Sequence, residues 1–359
     1  MQISFLEMFT PKVELHISPQ AQGRMLIIYT GGTMGMHYDP MVRSLVPFDF
    51  SDIISTLPEL GRFNLTLELI SFVKPIDSSN MKPSHWIALV ELIYQQYQEY
   101  DGFVILHGTD TMAYTASAVS FMMENLNKPV IFTGAQLPLS EVRSDARENL
   151  VTAIEIAAAR KNGKPIVKEV CIYFNHALMR GNRSKKLQSS HFDAFLSENY
   201  PNLAEAGISI EFNEAVLYSP PDKPFRIYTK LDSNVLIVKL FPGITKEVVE
   251  CLFNTSGLKG VVLETFGSGN APTDAWLEDI LKNASKKGIV VLNVSQCIGG
   301  TVFQGRYDTS RHLEKSGVIS GKNITTEAAI TKMMFVLANK PFSENVKASL
   351  EDSMRGEMD

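Results

Sequence analysis

The stretch Met25-Leu26-Ile27-Ile28-Tyr29-Thr30-Gly31-Gly32-Thr33 joins a short apolar run to a turn that carries two glycines and two threonines. A second stretch has the same arrangement, because the apolar run Phe103-Val104-Ile105-Leu106 leads into His107-Gly108-Thr109-Asp110-Thr111. In both, hydroxyl groups stand where a buried strand is expected to end. Ligands of open α/β sheets gather outside the carboxyl ends of the strands, so the two turns can converge on one pocket.

Apolar runs and amphipathic stretches alternate along the first half of the chain. The apolar runs lie at 25–30, 103–107, 129–133 and 169–174, and the amphipathic stretches lie at 81–100, 111–126 and 149–161. This alternation is typical of a parallel sheet with helices on both faces. We therefore predict an α/β fold with a larger N-terminal doubly wound sheet domain.

Prolines interrupt this pattern near 196–232, where Pro201, the pair Pro220-Pro221 and Pro224 occur. A proline pair cannot continue a helix or a central strand. Apolar runs then return at 235–238, 260–263 and 289–292, separated by helical stretches at about 246–254 and 273–287. We predict an N-terminal extension at 1–24, an N-terminal α/β catalytic domain at 25–210, a linker at 211–232 and a smaller C-terminal α/β domain at 233–359.

The composition of the 359 residues, with 45% hydrophobic and 20% charged residues, is that of an ordinary soluble globular protein. A net charge of −5 gives no broad basic field for nucleic acid or an anionic membrane, so a small ligand is expected. The cysteines Cys171, Cys251 and Cys297 form no C-x-x-C motif, which fits a reducing cytosol. The first 24 residues lack the features of a secretory signal, and no apolar run approaches the ~18 residues of a membrane span. We predict a cytoplasmic location.

Each motif also has a plain structural interpretation. The turn at 30–33 can be a tight strand-to-loop turn; a nucleotide site is disfavoured because neither G-x-G-x-x-G nor G-x-x-x-x-G-K-[ST] is present. The turn at 107–111 can be a helix cap, with His107 as a structural histidine. The basic segment 179–186 can be solvated surface, and Asp77-Ser78-Ser79-Asn80 can be a turn or an N-cap.

Taken together, these segments resemble the bacterial-type L-asparaginases, and in particular their cytoplasmic type I branch. The resemblance extends from residue 25 to the end of the chain. It rests on T-G-G-T at 30–33, H-G-T-D-T-M-A-Y-T-A at 107–116, I-F-T-G-A-Q at 131–136, G-N-R-x-x-K at 181–186 and G-S-G-N-A-P at 267–272. Several spaced motifs in the same order make the match specific.

The resemblance implies a role for each matching position. Thr33 corresponds to the acyl-forming nucleophile, and Thr109, Asp110 and Lys186 correspond to a second catalytic group. Asp77, Ser78 and Ser79 match the segment that holds the α-carboxylate and amino end of the substrate, and Ala135 falls where the family offers a backbone carbonyl near the departing amide. The resemblance implies no cofactor and no metal, and it implies a homodimer or homotetramer.

The chemistry of Lys186 limits its role. A threonine alcohol needs a neighbouring base to become a good nucleophile. A lysine titrates near ~10.4, so neutrality at pH 7 costs roughly 4–5 kcal/mol, and a nearby Asp110 anion opposes deprotonation. Lys186 is therefore expected to work in a proton relay through Thr109, or to remain cationic and stabilise a deprotonated threonine.

Two positions depart from the family's pattern. Many members carry a tyrosine in a mobile loop after the first motif, but this register reads Ser44-Leu45 here. Tyr38 lies nearby but out of step, and Tyr307 is our alternative catalytic hydroxyl, delivered by a neighbouring subunit. Cys297 matches a region where some type I enzymes form a regulatory asparagine site, and Glu264, after the apolar run 261–263, stands where such a site can use a basic residue. Since a carboxylate repels the effector's carboxylate, we expect hyperbolic kinetics.

The sequence thus predicts hydrolysis of L-asparagine to L-aspartate and ammonia through a threonine acyl-enzyme intermediate. Weaker glutaminase activity is compatible, because one methylene is typically worth only ~1–3 kcal/mol of discrimination. One alternative is the asparaginase-like component of a tRNA-dependent amidotransferase, against which the acidic charge and the short segment before residue 25 argue. Another is a non-catalytic amino-acid-binding module, against which the set of four catalytic-type residues argues.

Overall fold

The apolar runs that precede the two threonine turns form buried strands. The computed structural model of the protein describes residues 8–39, 41, 43–47, 57–305 and 308–359. The side chains from Met25 to Tyr29 and from Phe103 to Leu106 are at most 1% exposed. Runs that are apolar at every position suit strands that are covered on both faces.

The chain forms two units. The N-terminal unit comprises Met1–Ser197 and Pro201–Thr229, and the C-terminal unit comprises Glu198–Tyr200 and Lys230–Asp359. The junction between Thr229 and Lys230 falls in the proline-rich region, because the prolines near 220 leave this segment without long regular structure.

The N-terminal unit alternates strands and helices. Its strands are β1 (Val13–Ile17), β2 (Arg24–Tyr29), β3 (Met36–Asp39), β4 (Ser44–Pro47), β5 (Thr66–Ser71), β6 (Gly102–Leu106), β7 (Met123–Glu124), β8 (Val130–Thr133), β9 (Arg160–Lys161), β10 (Lys164–Pro165), β11 (Val170–Phe174), β12 (Ala177–Arg180), β13 (Lys185–Lys186), β14 (Phe195–Leu196), β15 (Ala204–Ala206), β16 (Ile210–Phe212) and β17 (Arg226–Ile227). Its helices are α1 (Pro83–Gln96), α2 (Met112–Met122) and α3 (Ala146–Ala158).

The main sheet has the strand order β1-β5-β2-β6-β8-β11-β12-β15-β16. From β5 to β11 the neighbouring strands are parallel. After β2 the chain runs to β5 on one side and then to β6 on the other, so the strand order reverses between β2 and β6. A doubly wound sheet binds its ligands outside the carboxyl ends of the strands at this switch point. The two threonine turns follow β2 and β6.

Antiparallel strands extend this sheet at both edges. β1 pairs with β5, so the predicted extension 1–24 supplies an edge strand. On the other side β12 pairs with β11, β15 with β12, and β16 with β15. The hairpin of β11 and β12 matters for the site, since it leads the chain into the segment that carries Lys186.

The C-terminal unit is a second, smaller α/β layer structure. Its strands β18 (Val235–Lys239), β19 (Gly260–Thr265), β20 (Val290–Ser295) and β21 (Ile319–Ser320) are parallel and adjacent in this order. Its helices are α4 (Lys246–Phe253), α5 (Ala275–Lys286), α6 (Asp308–Lys315), α7 (Thr326–Ala338) and α8 (Val346–Glu351). The predicted fold class is confirmed. Within the described residues, no helix combines the length and the apolar character that crossing a membrane requires.

Candidate active site

The first threonine turn is fixed to the end of the neighbouring strand. Both the backbone N–H and the hydroxyl of Thr30 donate to the carbonyl of Leu106, at 3.0 and 2.9 Å. The carbonyl of Thr30 accepts from the N–H of Ile76 at 2.8 Å. Thr33 is half-buried and begins a 3₁₀ turn, Thr33–Gly35. These hydrogen bonds therefore fix the direction in which the chain leaves β2. Thr33 remains partly exposed to solvent.

Glycine is required where the turns touch. Gly32 has φ +98°, and a Cβ built on it would lie 2.5 Å from the backbone nitrogen of Gly108. A Cβ on Gly108 would lie 2.6 Å from the hydroxyl oxygen of Ser78. No side chain fits at such separations, so the backbones approach directly. This contact places the backbone segments that lead into Thr33 and Thr109 next to each other.

The second turn is bound to Lys186 through two short polar contacts. Lys186 Nζ donates to Thr109 Oγ1 and to Asp110 Oδ1, both at 2.7 Å. Thr109 is 9% exposed, whereas the side chains of Lys186 and Asp110 are 17% and 65% exposed. The Lys186 ammonium is therefore shielded from solvent where it contacts Thr109, and it is closer to solvent where it contacts Asp110. The exposed part of the Asp110 carboxylate remains accessible to a ligand that carries hydrogen-bond donors.

Lys186 reaches the site from a buried frame. The guanidinium of Arg180 at the end of β12 pairs with Glu169, with Nε to Oε2 at 2.5 Å, and both side chains are nearly inaccessible. Asn182 is fully buried and donates to Ser120 Oγ at 3.0 Å. Arg183 is 2% exposed. The interpretation of the basic segment as solvated surface is therefore wrong for residues 179–184, which anchor the short strand β13.

The 3₁₀ turn Ser78–Asn80, with Asp77 as its N-cap, lies beside the second motif. Asp77 Oδ1 accepts from the N–H and the hydroxyl of Ser79, at 2.9 and 2.8 Å. The carbonyl of Ser78 accepts from Thr111 Oγ1 at 2.7 Å, which ties this turn to the helix start after β6. These contacts of Asp77 are those of an N-cap, as its structural interpretation predicted. Asp77 and Ser79 are not fully buried, so their polar groups remain accessible to a ligand.

A third strand end completes the site. A Cβ on Gly134 would lie 2.4 Å from the carbonyl oxygen of His107, so the turn after β8 packs directly against the second motif. Ala135 is 2% exposed. Gln136 Oε1 accepts from Thr109 Oγ1 at 3.2 Å. From the sequence, Gln136 had no predicted role. Its position in the turn after a central strand is the feature that could have indicated one.

His107 lies beneath these turns. It is 2% exposed, and its Nδ1 donates to the carbonyl of Gly108 at 2.6 Å. Burial lowers the pKa of His107 to about 4, so the ring is neutral at pH 7. This burial agrees with the predicted structural role, and it excludes His107 as a cation in the site at neutral pH.

Three tyrosines bear on the expected auxiliary hydroxyl. Tyr307 lies outside the described residues, and Tyr38 belongs to β3, where its backbone pairs with Leu45 of β4. Tyr29, the last residue of β2, was missed by the sequence-based prediction. Its side chain is 1% exposed, and its hydroxyl lies 3.4 Å from the carbonyl oxygen of Gly32. Burial raises the pKa of Tyr29, so its hydroxyl is neutral. This hydroxyl contacts the backbone of the first turn at Gly32.

The proposed regulatory position lies in the C-terminal unit. Glu264 near the end of β19 is 9% exposed and accepts from Thr326 Oγ1 at 2.6 Å. The Lys239 ammonium lies 3.8 Å from its other oxygen. Cys297 is exposed and free, and its N–H donates to Ser295 Oγ at 3.0 Å. The Glu264 carboxylate is thus already held by groups of its own unit.

Comparison with known proteins identifies the class to which this fold and site belong. The family model for the asparaginase N-terminal domain matches residues 24–218, and the model for the glutaminase/asparaginase C-terminal domain matches residues 234–350. The chain therefore belongs to the asparaginase family of amidohydrolases.

Its similarity is strong to the type I branch of this family. It is 41% identical over 337 residues to L-asparaginase 1 of Escherichia coli K12, covering 92% of this chain and 97% of that protein. L-asparaginase I from Vibrio cholerae superposes with a TM-score of 0.86 at 40% identity, covering 94% of this chain and all of the other. A component of the glutamyl-tRNA(Gln) amidotransferase from Pyrococcus abyssi is 32% identical over 372 residues, covering 99% of this chain and 83% of that protein. The predicted membership of the type I asparaginase family is confirmed.

Proposed function

We propose that the protein hydrolyses L-asparagine to L-aspartate and ammonia through an acyl-enzyme intermediate on Thr33. The observation that carries this proposal is the contact between Gly32 and Gly108, which joins the Thr33 turn to the Thr109 turn at the switch point of the sheet. The hydrogen bond from Lys186 to Thr109 adds a cation to the same place.

Asparagine offers three groups, and the site offers a partner for each. The exposed carboxylate of Asp110 pairs with the substrate ammonium. Hydroxyl and backbone N–H groups of the segment from Asp77 to Ser79 receive the α-carboxylate. The side-chain amide then faces Thr33, with the carbonyl of Ala135 accepting from the amide NH₂. These pairings use groups at the ends of the strands, where the turns of the site meet.

The reaction proceeds in two steps. The Thr33 oxygen attacks the amide carbon, its proton passes to the leaving nitrogen, and the C–N bond breaks to release ammonia. Water then attacks the ester carbon, and its proton returns to Thr33 as aspartate leaves. Backbone N–H groups of the glycine turn are the proposed donors to the oxyanion in both steps.

Lys186 stays cationic in this mechanism. Its ammonium donates to Asp110 as well as to Thr109, and an adjacent carboxylate favours the charged amine. The cation therefore stabilises negative charge that develops on the threonine oxygens, while Thr109 accepts a hydrogen bond from the group that loses its proton. This supports the interpretation of Lys186 as a stabilising cation over a neutral lysine base.

Ammonia release tests the proposed function directly. Wild type should release ammonia from asparagine and, more slowly, from glutamine, because the two differ by one methylene. Thr33→Ala should lose at least ~1,000-fold of kcat, since it lacks the nucleophile. Thr33→Ser, which keeps a hydroxyl, should retain measurable turnover. A Thr33→Ala variant with wild-type turnover would reject the acyl-enzyme mechanism.

The two alternatives predict other outcomes of the same measurement. A non-catalytic binding module would bind asparagine, with heat detectable by calorimetry, and release no ammonia. An amidotransferase component, which is what the name of the Pyrococcus relative says of that protein, would need tRNA and a partner for full turnover. Asparagine hydrolysis by the chain alone favours the proposed function over both.

Tyr307 and the oligomeric state belong to the same proposal. We expect a homodimer or homotetramer in the cytoplasm, with Tyr307 of a neighbouring subunit as the auxiliary hydroxyl of the Thr33 site. Tyr307→Phe should lower kcat/KM by more than tenfold; a change within twofold would refute this role. Asparagine saturation should be hyperbolic, and a Hill coefficient well above one would contradict the expectation for Glu264.

A further inference from the structure

We propose that Gln136 is a positioning residue that fixes the direction of the Thr109 hydroxyl, so that Thr109 faces the reacting groups as a hydrogen-bond acceptor. This inference rests on the proposed function, and it adds a residue to which neither the motif nor the resemblance assigned a role. It follows from the contacts of one side-chain amide.

The orientation of the Gln136 amide is set by its second partner. Its Nε2 lies 2.9 Å from the carbonyl oxygen of His191. A carbonyl oxygen can only accept, so the NH₂ group must face His191. The amide oxygen therefore faces Thr109, with Oε1 at 3.2 Å from Oγ1. Since Oε1 can only accept as well, the Thr109 hydroxyl is the donor in that contact.

This direction leaves a definite set of lone pairs on Thr109. A hydroxyl has one proton and two lone pairs. The proton is given to Gln136, and one lone pair accepts from Lys186 Nζ at 2.7 Å. The second lone pair remains to accept a hydrogen bond from the attacking water or from the Thr33 hydroxyl.

The turn that carries Gln136 is itself held in place. The carboxylate of Asp145 accepts from the N–H of Gln136 through both oxygens, at 3.1 and 3.0 Å, and from the N–H of Leu137 at 3.0 Å. Asn149 is 2% exposed and donates to the carbonyl of Gly134 at 3.0 Å. Asp145 directly precedes α3, and Asn149 lies in the first turn of this helix. The start of α3 therefore holds the loop that carries Gln136 in position.

His191 connects Gln136 to the element that carries Lys186. It lies in the connection between β13, which contains Lys186, and β14. The amide of Gln136 therefore spans from Thr109 to the β13–β14 hairpin. One side chain thus orients the hydroxyl that accepts from Lys186 and holds the loop beside Lys186.

Steady-state kinetics of two variants test the proposal. Gln136→Met keeps the length of the side chain and removes both hydrogen bonds; we expect kcat for asparagine to fall about tenfold, or about 1.4 kcal/mol, with KM within twofold of wild type. Gln136→Glu keeps the acceptor for Thr109, so it should lose clearly less kcat than Gln136→Met. Gln188→Met, in the same hairpin as His191, is the matched control and should match wild type.

The outcomes separate this inference from the proposed function. A kcat of Gln136→Met within threefold of wild type overturns the role of Gln136, as does a Gln136→Glu variant no more active than Gln136→Met. A loss confined to KM points to substrate binding and also overturns it. If Gln136→Met does not fold, the kcat of Gln136→Glu decides: below one tenth of wild type overturns the role. Thr33→Ala reads the proposed function independently, because it leaves the Gln136 contacts intact.

Discussion

The ammonium of Lys186 and the hydroxyl oxygen of Thr109 lie 2.7 Å apart, although the residues are 77 positions apart in the chain. The same ammonium contacts the Asp110 carboxylate at 2.7 Å. A proton moving from Lys186 to Thr109 would leave a neutral amine beside an anion, which is unfavourable. The geometry therefore favours a permanent cation over a lysine that alternates between two charge states.

Lys186→Met should lower kcat by at least ~100-fold across pH 6–9, because it removes the cation that stabilises charge on the threonine oxygens. Lys186→Arg keeps the charge and should recover part of the loss. The pH–rate profile of each variant with asparagine is the measurement. An unchanged kcat of Lys186→Met over this range would refute a chemical role for the amine.

Gly32→Ala should abolish most of the activity and lower the free energy of unfolding. The new Cβ would combine a left-handed backbone with a 2.5 Å approach to the Gly108 nitrogen, so the two turns must separate. Gly163→Ala is the matched control, because Gly163 has φ +75° but no neighbouring atom within 4 Å of a Cβ. It should cost only the roughly 1–2 kcal/mol of the left-handed conformation.

Urea unfolding of both variants, together with ammonia release, checks the prediction for Gly32. Equal destabilisation of Gly32→Ala and Gly163→Ala would show that the turns give way to the new methyl group. Wild-type kcat in Gly32→Ala would contradict the requirement for close backbone contact at the site.

His107 should make the protein less stable in mild acid. Its pKa is about 4 in the folded chain and 6.5 as the ordinary value. Between these values the unfolded chain binds a proton that the folded chain does not, so the free energy of unfolding falls as the pH falls. The expected loss from pH 7 to pH 5 is about 2 kcal/mol. His107→Phe should not show this loss of stability between pH 7 and pH 5. Urea unfolding of wild type and variant at both pH values is the measurement, and an equal loss in the two proteins would contradict the prediction.

The buried pair of Lys332 and Glu357 should dominate the stability of the C-terminal tail. Lys332 Nζ lies 2.6 Å from Glu357 Oε1, and both side chains are fully inaccessible. Lys332→Met should cost about 3–5 kcal/mol, since it leaves an uncompensated buried carboxylate. Lys332→Met combined with Glu357→Leu should cost less than the sum of the single changes.

Lys347→Met is the control for this cycle. Its ion pair with Glu351 is 3.8 Å long and exposed, and such pairs contribute ~0–1 kcal/mol. Urea denaturation of the three variants and the double variant measures the coupling. Strict additivity of the Lys332 and Glu357 changes would contradict a direct interaction.

Local pattern determined the strands that lead into the site and several of the helices. The amphipathic stretch expected at 111–126 contains α2, and the stretches at 246–254 and 273–287 contain α4 and α5. The helix expected at 149–161 begins earlier, at Ala146, because the turn before it is stabilised by contacts of Asp145 with residues 136 and 137. Periodicity finds the body of an element, whereas its ends depend on such contacts.

The sequence by itself determined the fold class and the motifs, since apolar runs, glycine turns and their order are written in neighbouring residues. Only the tertiary structure decided which side chains meet. Strands and helices that are distant in sequence must pack together before these contacts can form. Examples are the hydrogen bond from Thr109 to Gln136, the burial of Arg183 and the ion pair of Lys332 with Glu357. A hydrogen bond forms over about 3 Å, and no pattern of neighbouring residues fixes a position in space to that distance.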